Sequence, residues 1–181
     1  NIQRTQVAII GTGFGGIGMA IQLQKAGFSD FVLLEKEQAL GGCWRDNSYP
    51  AAACDVPSHL YSFSFEPKHD WSRKFAPQAE IYQYIKHCAI KYGILQKIQF
   101  NQEVESAYFD DKQQLWVIKT TRQTLLATIL ISACGQLNRP AYPKLKGIEN
   151  FKGEVFHSAR WHHDYDLNNK RVAVIGTGAS A

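Results

Sequence analysis

The chain has 181 residues, of which 45% are hydrophobic and 20% charged, with a formal net charge of +4. That length suits one domain with room for the start of another, and the composition is that of a globular protein able to bury a core. Its basic residues are scattered, so no nucleic-acid arm stands out, and no apolar run approaches the roughly 18 residues of a membrane span.

Gln6–Ile10 is a short apolar run ending in glycines, which suits a buried parallel strand. Gly11-Thr12-Gly13-Phe14-Gly15-Gly16 follows, and then a predicted helix over Ile17–Ala26 with Gly27 as its C-cap. Asp30–Leu34 reads as the second strand and ends at Glu35. In such a G-x-G-x-x-G turn the first glycine (Gly11) allows a tight turn, the second (Gly13) lets backbone approach a pyrophosphate, and the third (Gly16) lets the helix pack on the strand. The helix N-terminus offers free N–H groups and positive partial charge to the anion. Glu35 stands roughly twenty residues on, where an acid holds a ribose hydroxyl. Its charge disfavours a 2′-phosphate, so this turn suits FAD or NAD rather than NADP. Phe14 in the turn and Lys36 beside the acid join the candidate contacts.

Gly41–Pro67 is rich in Gly, Pro, Ala, Ser and aromatics and is expected to be ordered but mostly irregular, with a helical turn after Asp55. Its start, Gly41-Gly42-Cys43-Trp44, lets the chain pass close to a flat ligand. Trp44 is either a face for that ligand or a core aromatic. Asp55 is either a loop cap or a functional carboxylate. Pro77–Lys91 reads as a helix with Pro77 in its first turn and Ile81, Ile85, Cys88 and Tyr92 on one face. A strand near Ile98–Phe100 follows. Val104–Phe109, Leu115–Lys119 and Gln123–Thr128 alternate as hairpin strands, with a turn at Asp110–Gln113. Ile129–Ala133 is a further buried strand. Pro140–Gly147 is a linker, and Val172–Ile175 is expected to open a second β-turn-α unit at Gly176-Thr177-Gly178-Ala179-Ser180-Ala181.

The four cysteines, Cys43, Cys54, Cys88 and Cys134, contain no C-x-x-C pair, which argues against a zinc site or thioredoxin-type motif. Scattered thiols fit a reducing compartment, and without a signal-peptide pattern the expected location is the cytoplasm. His162-His163-Asp164 reads as a surface cluster, because adjacent histidines in a strand or loop point apart; no metal site is expected.

Three stretches carry a family resemblance. Gly41-Gly42-Cys43-Trp44, then Tyr49-Pro50 and Asp55, resembles the flavin-site motif of Baeyer–Villiger monooxygenases. Phe151-x-Gly153-x-x-x-His157-x-x-x-Trp161 is similar to that family's fingerprint. Ser132-Ala133-Cys134-Gly135-Gln136 resembles the strand-end motif linking FAD and NADPH domains in flavin monooxygenases. The resemblance covers essentially the whole chain. It departs at Ala51, where the family usually has Gly or Met, and at His162, where Pro or Asp usually follows the tryptophan. Enzymes that oxygenate N or S tend to carry Tyr or Phe where Trp161 stands, which favours the Baeyer–Villiger branch.

The resemblance implies an α/β fold. A Rossmann-like FAD-binding domain, with a parallel sheet and a small antiparallel β-meander, would span 1–147. A connection bearing the fingerprint would span 148–169, and the first strand and turn of an NADPH-binding domain 170–181. It implies an FAD- and NADPH-dependent monooxygenase that converts a ketone and O2 to an ester or lactone through a flavin C4a-peroxide, the alternatives being N or S oxygenation or a non-catalytic FAD-binding piece. Asp55 would lie near the flavin and pair with an arginine from the NADPH domain. Gly11, Gly13, Phe14, Gly16, Glu35, Lys36, Gly42, Cys43, Trp44, Tyr61 and Val104 would contact FAD, and Gln136 would sit near the nicotinamide. Gly176, Gly178 and Ser180 would hold the NADPH pyrophosphate, while His157 and Trp161 would act structurally between domains. A flavin disulfide reductase would need a C-x-x-x-x-C pair after the Gly-Gly, which Cys43 and Cys54 do not provide. Because the chain stops inside the second turn, it is expected to be the front part of a larger enzyme. Alone, it is expected to bind FAD weakly, to self-associate through its exposed surface, and to show no NADPH-driven oxygenation.

Overall fold

A computed structural model describes residues 2–180. Strand β1 (Ile2–Ile10) leads into helix α1 (Phe14–Lys25), and β2 (Phe31–Leu34) returns parallel to it. A one-turn helix α2 (Cys43–Asp46) and a long ordered loop precede helix α3 (Gln78–Lys91). Then come β3 (Ile98–Gln99), β4 (Val104–Asp110), β5 (Leu115–Thr120) and β6 (Thr124–Ser132). The six strands form one sheet in the order β3-β2-β1-β6-β5-β4, parallel from β3 to β6 and antiparallel from β6 to β4.

The alternation of β1 and β2 divides the core. Val7, Ile9, Phe31 and Leu33 face Ile17, Ile21, Ile81, Ile85 and Cys88 of the helices. Ala8, Val32 and Leu34 face Ile118, Leu125 and Ala127 of the antiparallel strands. Both faces of the central strands are therefore covered, which is why they read as continuous apolar runs.

Several elements differ from the sequence reading. β1 begins at Ile2 rather than Gln6, because Ile2–Thr5 pair with Thr124–Ala127 of β6 while remaining too polar to signal a buried strand. The two strands expected at Gln123–Thr128 and Ile129–Ala133 are one strand, β6. Its first half pairs antiparallel with β5, and its whole length runs parallel to β1. Pro77 is the extended N-cap of α3 and not a first-turn residue, and Tyr92 closes the same helix as C-cap. The turn α2 was not anticipated. Val172–Ile175 does not form the expected strand. No backbone ladder partner lies beside it among the described residues, so its apolar side chains stay exposed, Val174 by 67%.

The loop between α2 and α3 is ordered, as expected, and its helical turn falls at Ser58–Leu60. Ser58 is fully buried and pins the loop: its Oγ accepts from Ala76 N at 2.7 Å and donates to the Arg73 and Lys74 carbonyls at 2.9 Å. Ala52 and Cys54 are likewise bonded to the segment entering α3, through Gln78 N to Ala52 O at 2.8 Å and Cys54 N to Ala76 O at 3.0 Å.

Ala51, the position where the related motif usually carries glycine or methionine, has φ of +63°. A side chain in that left-handed region is strained, whereas glycine adopts it freely. Ala51→Gly is expected to stabilise the chain by about 0.5–1 kcal/mol, read as a higher denaturation midpoint in urea. An unchanged or lower midpoint would show that the strain is absent.

Candidate cofactor site

The site is built where β1, α1 and α2 meet. Gly11 has φ of +100° and donates its N–H to Leu34 O at 2.8 Å. A Cβ there would lie 2.6 Å from Ala133 O, so the turn fits against the end of β6 only without a side chain. A Cβ on Gly16 would lie 2.0 Å from Gly11 O, which sets α1 flush on the turn. Gly13 is different. The nearest atom to a Cβ there is the Gly42 Cα, at 3.7 Å, so its backbone faces open space beside the second glycine pair.

That pair docks directly on the turn. Gly41 N donates to Thr12 O at 3.0 Å, and Gly42, at φ of +55°, would place a Cβ 3.1 Å from Gly13 Cα. Helix α1 starts with the bond from Ile17 N to Gly13 O at 3.0 Å, and it has neither a side-chain cap nor an acid in its first turn. Its leading N–H groups at Phe14, Gly15 and Gly16 are left for an anion. An open glycine backbone, uncapped amides and absent acids fit a dinucleotide pyrophosphate.

Glu35 is 4% exposed and closes the other end of the site. Its Oε2 accepts from Thr12 N at 3.2 Å and from the Thr12 hydroxyl. Its Oε1 accepts from Glu37 N at 3.1 Å and forms a 3.2 Å ion pair with Arg45 Nη1. Arg45 also grips Asp46 through Nε at 2.7 Å and Nη2 at 3.0 Å, and donates to Ala39 O. Burial opposes the charge on Arg45, but hydrogen bonding and attraction from Asp46 and Glu35 outweigh it and raise its pKa. Lys36 points away, with Nζ 4.0 Å from Glu37.

Aromatic side chains form the next layer. Trp44 Nε1 donates to Tyr61 OH at 3.0 Å, and Tyr61 sits edge-on to Phe14 at 5.3 Å. Phe14 in turn stacks on Tyr84 at 5.9 Å. Trp44 is thus packed against the core cluster. Burial raises the pKa of the Tyr61 hydroxyl, and burial followed by the charge of Asp46 does the same for the Cys43 thiol, so Cys43 is no activated nucleophile.

Asp55 is exposed at the rim, between the buried Cys54 and the exposed Val56. Val104 opens β4, and the segment before it is tied to the acid by Gln102 N donating to Glu35 O at 2.8 Å. Gln136 is exposed beyond the end of β6. Gly176 and Gly178 lie in exposed chain with nothing within 4 Å of a Cβ, and Ser180 Oγ accepts from Tyr49 OH at 3.0 Å. The structure therefore brings Gly11, Gly13, Phe14, Gly16, Glu35, Gly42, Cys43, Trp44 and Tyr61 together, while Gln136, Gly176 and Gly178 stand outside that group.

The fingerprint segment has local roles. His157 Nδ1 accepts from Ala159 N at 3.0 Å and caps a 3-10 turn at Ser158–Arg160. Trp161 packs edge-on to Phe156 at 5.0 Å. His162 pairs with Glu154 at 2.8 Å while His163 turns to Ser48, so the two histidines do point apart. The described residues hold no cluster of metal-ligating side chains. Thr12 and Arg45 were missed by sequence reasoning: one is a variable position of the glycine motif, and the other follows Trp44 without any spacing signal.

The family model described as pyridine nucleotide-disulphide oxidoreductase matches residues 8–181. The chain belongs to that family. Its four cysteines are free, so the family's name does not imply a disulfide here. The chain is 51% identical to a Baeyer–Villiger monooxygenase of Streptomyces coelicolor, over 99% of this chain and 34% of that protein. It is 52% identical to a Baeyer–Villiger monooxygenase of Pseudomonas aeruginosa, over 97% of this chain and 34% of the relative. Among solved structures, the closed form of cyclohexanone monooxygenase superposes with a TM-score of 0.88 at 33% identity, covering 99% of this chain and 35% of that one. The complex of OTEMO with FAD and NADP superposes with a TM-score of 0.87 at 34% identity, covering 97% and 35%. The chain thus spans about a third of the length of the curated relatives it matches. These relatives bear out the resemblance to Baeyer–Villiger monooxygenases read from the sequence, and the superpositions bear out the Rossmann-like α/β fold.

Proposed function

We propose that this chain forms the FAD-binding part, and the beginning of the NADPH-binding part, of a Baeyer–Villiger monooxygenase that converts a ketone to an ester or lactone with O2. The observation that carries this reading is the uncapped N-terminus of α1 over an open Gly13, met by Gly42. In this reading residues 1–147 hold FAD, 148–169 connect, and 170–181 begin the second domain. FAD, when bound, supplies the redox and oxygen-activating chemistry, with NADPH as the reductant. The amides of Phe14, Gly15 and Gly16 hold the pyrophosphate, and Glu35 faces the adenosine ribose. Tyr61 and Trp44 line the approach to the flavin, and the loop from Gly41 to Pro67 keeps water away from it. The four free thiols suit a cytoplasmic setting. No described helix is long and apolar enough to cross a membrane.

Asp55 is exposed at the rim, where a carboxylate can place a cationic partner near developing charge. In an enzyme that includes the rest of the polypeptide, Asp55→Ala is expected to keep its yellow colour while ester formation falls by on the order of 10²-fold. Loss of flavin with unchanged activity per bound flavin would make Asp55 a cofactor anchor instead. Formation of N- or S-oxide with no ester from the unaltered enzyme would favour heteroatom oxygenation.

A further inference from the structure

The loop after α2 reaches the far end of the chain through two hydrogen bonds. Ser48 Oγ lies 2.8 Å from His163 Nε2, and Tyr49 OH donates to Ser180 Oγ at 3.0 Å. The partners are 115 and 131 residues apart in sequence. Between these bonds, Pro50 forms one wall of a cleft whose other wall is Trp161 and residues 163–168.

The near side of this link is rigidly founded. Asn47 bonds back to Cys43 O through both its backbone N–H and its side-chain amide, each at 2.9 Å. Cys43 begins the helical turn that Gly42 starts, and Gly42 touches Gly13. The far side is weakly founded. Val172, Val174 and Ile175 are 57%, 67% and 63% exposed and pair with no strand among the described residues, and a Cβ on Gly176 or Gly178 would meet nothing within 4 Å. The hydroxyls of Ser48 and Tyr49 tie this segment to the loop after α2.

We propose that Ser48 and Tyr49 form a two-point brace that sets the second glycine turn against the first. They are positioning residues: each hydroxyl holds a partner on the segment that carries Gly176 and Gly178. The brace itself stands on geometry. Its use, fixing the distance between two bound dinucleotides, rests on the reading proposed above.

The test is backbone 15N relaxation on the labelled chain, without and with FAD. In the flavin-free chain, Gly176 and Gly178 are expected to have order parameters near the rigid value of about 0.85, falling below about 0.6 in the Ser48→Ala/Tyr49→Phe double variant, with Gly11 and Gly13 unchanged. Should the double variant fail to fold, His163→Ala, altered at the opposite end, is expected to loosen the same two glycines. With FAD added, the Gly176 and Gly178 amide resonances are expected to shift in the unaltered chain and not in the double variant, with flavin content equal in both. A merely structural loop would not transmit that shift. Equal order parameters in chain and variant, or two glycines already mobile in the unaltered chain, would overturn the brace. A shift that is absent with FAD bound, or that survives in the variant, would overturn its coupling role. Absence of FAD binding would sink the functional reading alone, because the flavin-free comparison still decides the brace.

Discussion

Gly16→Ala is expected to destabilise the domain by about 3 kcal/mol or more, although alanine usually favours a helix by about 1 kcal/mol over glycine. The added Cβ would fall 2.0 Å from Gly11 O and 2.9 Å from Gly11 C. Neither atom has room to retreat. Gly11 is held by its N–H bond to Leu34 O at 2.8 Å and backs onto Ala133 O, which a Cβ on Gly11 would approach to 2.6 Å. Relief requires moving α1 off the β1–β6 pair, which carries the core. Against a typical stability of roughly 5–15 kcal/mol, such a loss is severe. Gly13→Ala is the matched control. Its φ of −75° accepts a side chain, and its Cβ meets only Gly42 Cα, at 3.7 Å. It is expected to leave the denaturation midpoint nearly unchanged while weakening FAD binding, because the methyl fills the space a pyrophosphate needs. Equal loss of stability in the two variants would contradict this division of roles between the glycines.

Glu35→Ala is expected to act on stability and on binding together. The carboxylate now satisfies Thr12, the Glu37 N–H and Arg45. Its removal leaves the charge of Arg45 on a side chain that is only 15% exposed. Breaking a buried pair by deleting one partner costs about 3–5 kcal/mol, and the remaining bonds from Arg45 to Asp46 favour the lower end, about 3 kcal/mol. FAD retention is expected to weaken by a further 1–3 kcal/mol or so, the worth of a charge-assisted hydrogen bond to a ribose hydroxyl. Denaturation of the flavin-free chain and FAD titration of the folded chain separate the two effects. A folded Glu35→Ala chain that binds FAD as before would show that the carboxylate serves the fold alone.

The parts legible in the sequence are those where one physical rule acts locally. The turn at Gly11–Gly16 and the strand ending at Glu35 are fixed by steric need and by short apolar runs. The helix ending at Lys91 shows its period through Ile81, Ile85 and Cys88, all fully buried. Trp44, which the sequence leaves open between a ligand face and a core aromatic, packs against the core cluster and donates to Tyr61. What stayed hidden depends on distant partners. The polar start of β1 becomes strand only because Thr124–Ala127 lie beside it. Conversely, Val172–Ile175 has strand composition, but no neighbouring strand pairs with it among the described residues. Thr12 and Arg45 matter because folding carries them to Glu35, and the sequence records no such distance. Ala51 shows the reverse case: the departure from the family motif was visible, but its cost appears only with the φ of +63°.

The most direct measurement is titration of FAD and FMN into the purified chain, followed by the change in flavin absorbance and fluorescence. FMN shares the flavin but lacks the pyrophosphate link to adenosine that Gly13, the α1 amides and Glu35 are built to hold. Saturable binding of FAD, with FMN binding far more weakly and Gly13→Ala narrowing the difference, is the result the account predicts. Equal binding of the two flavins, or no saturable binding of FAD, would contradict it.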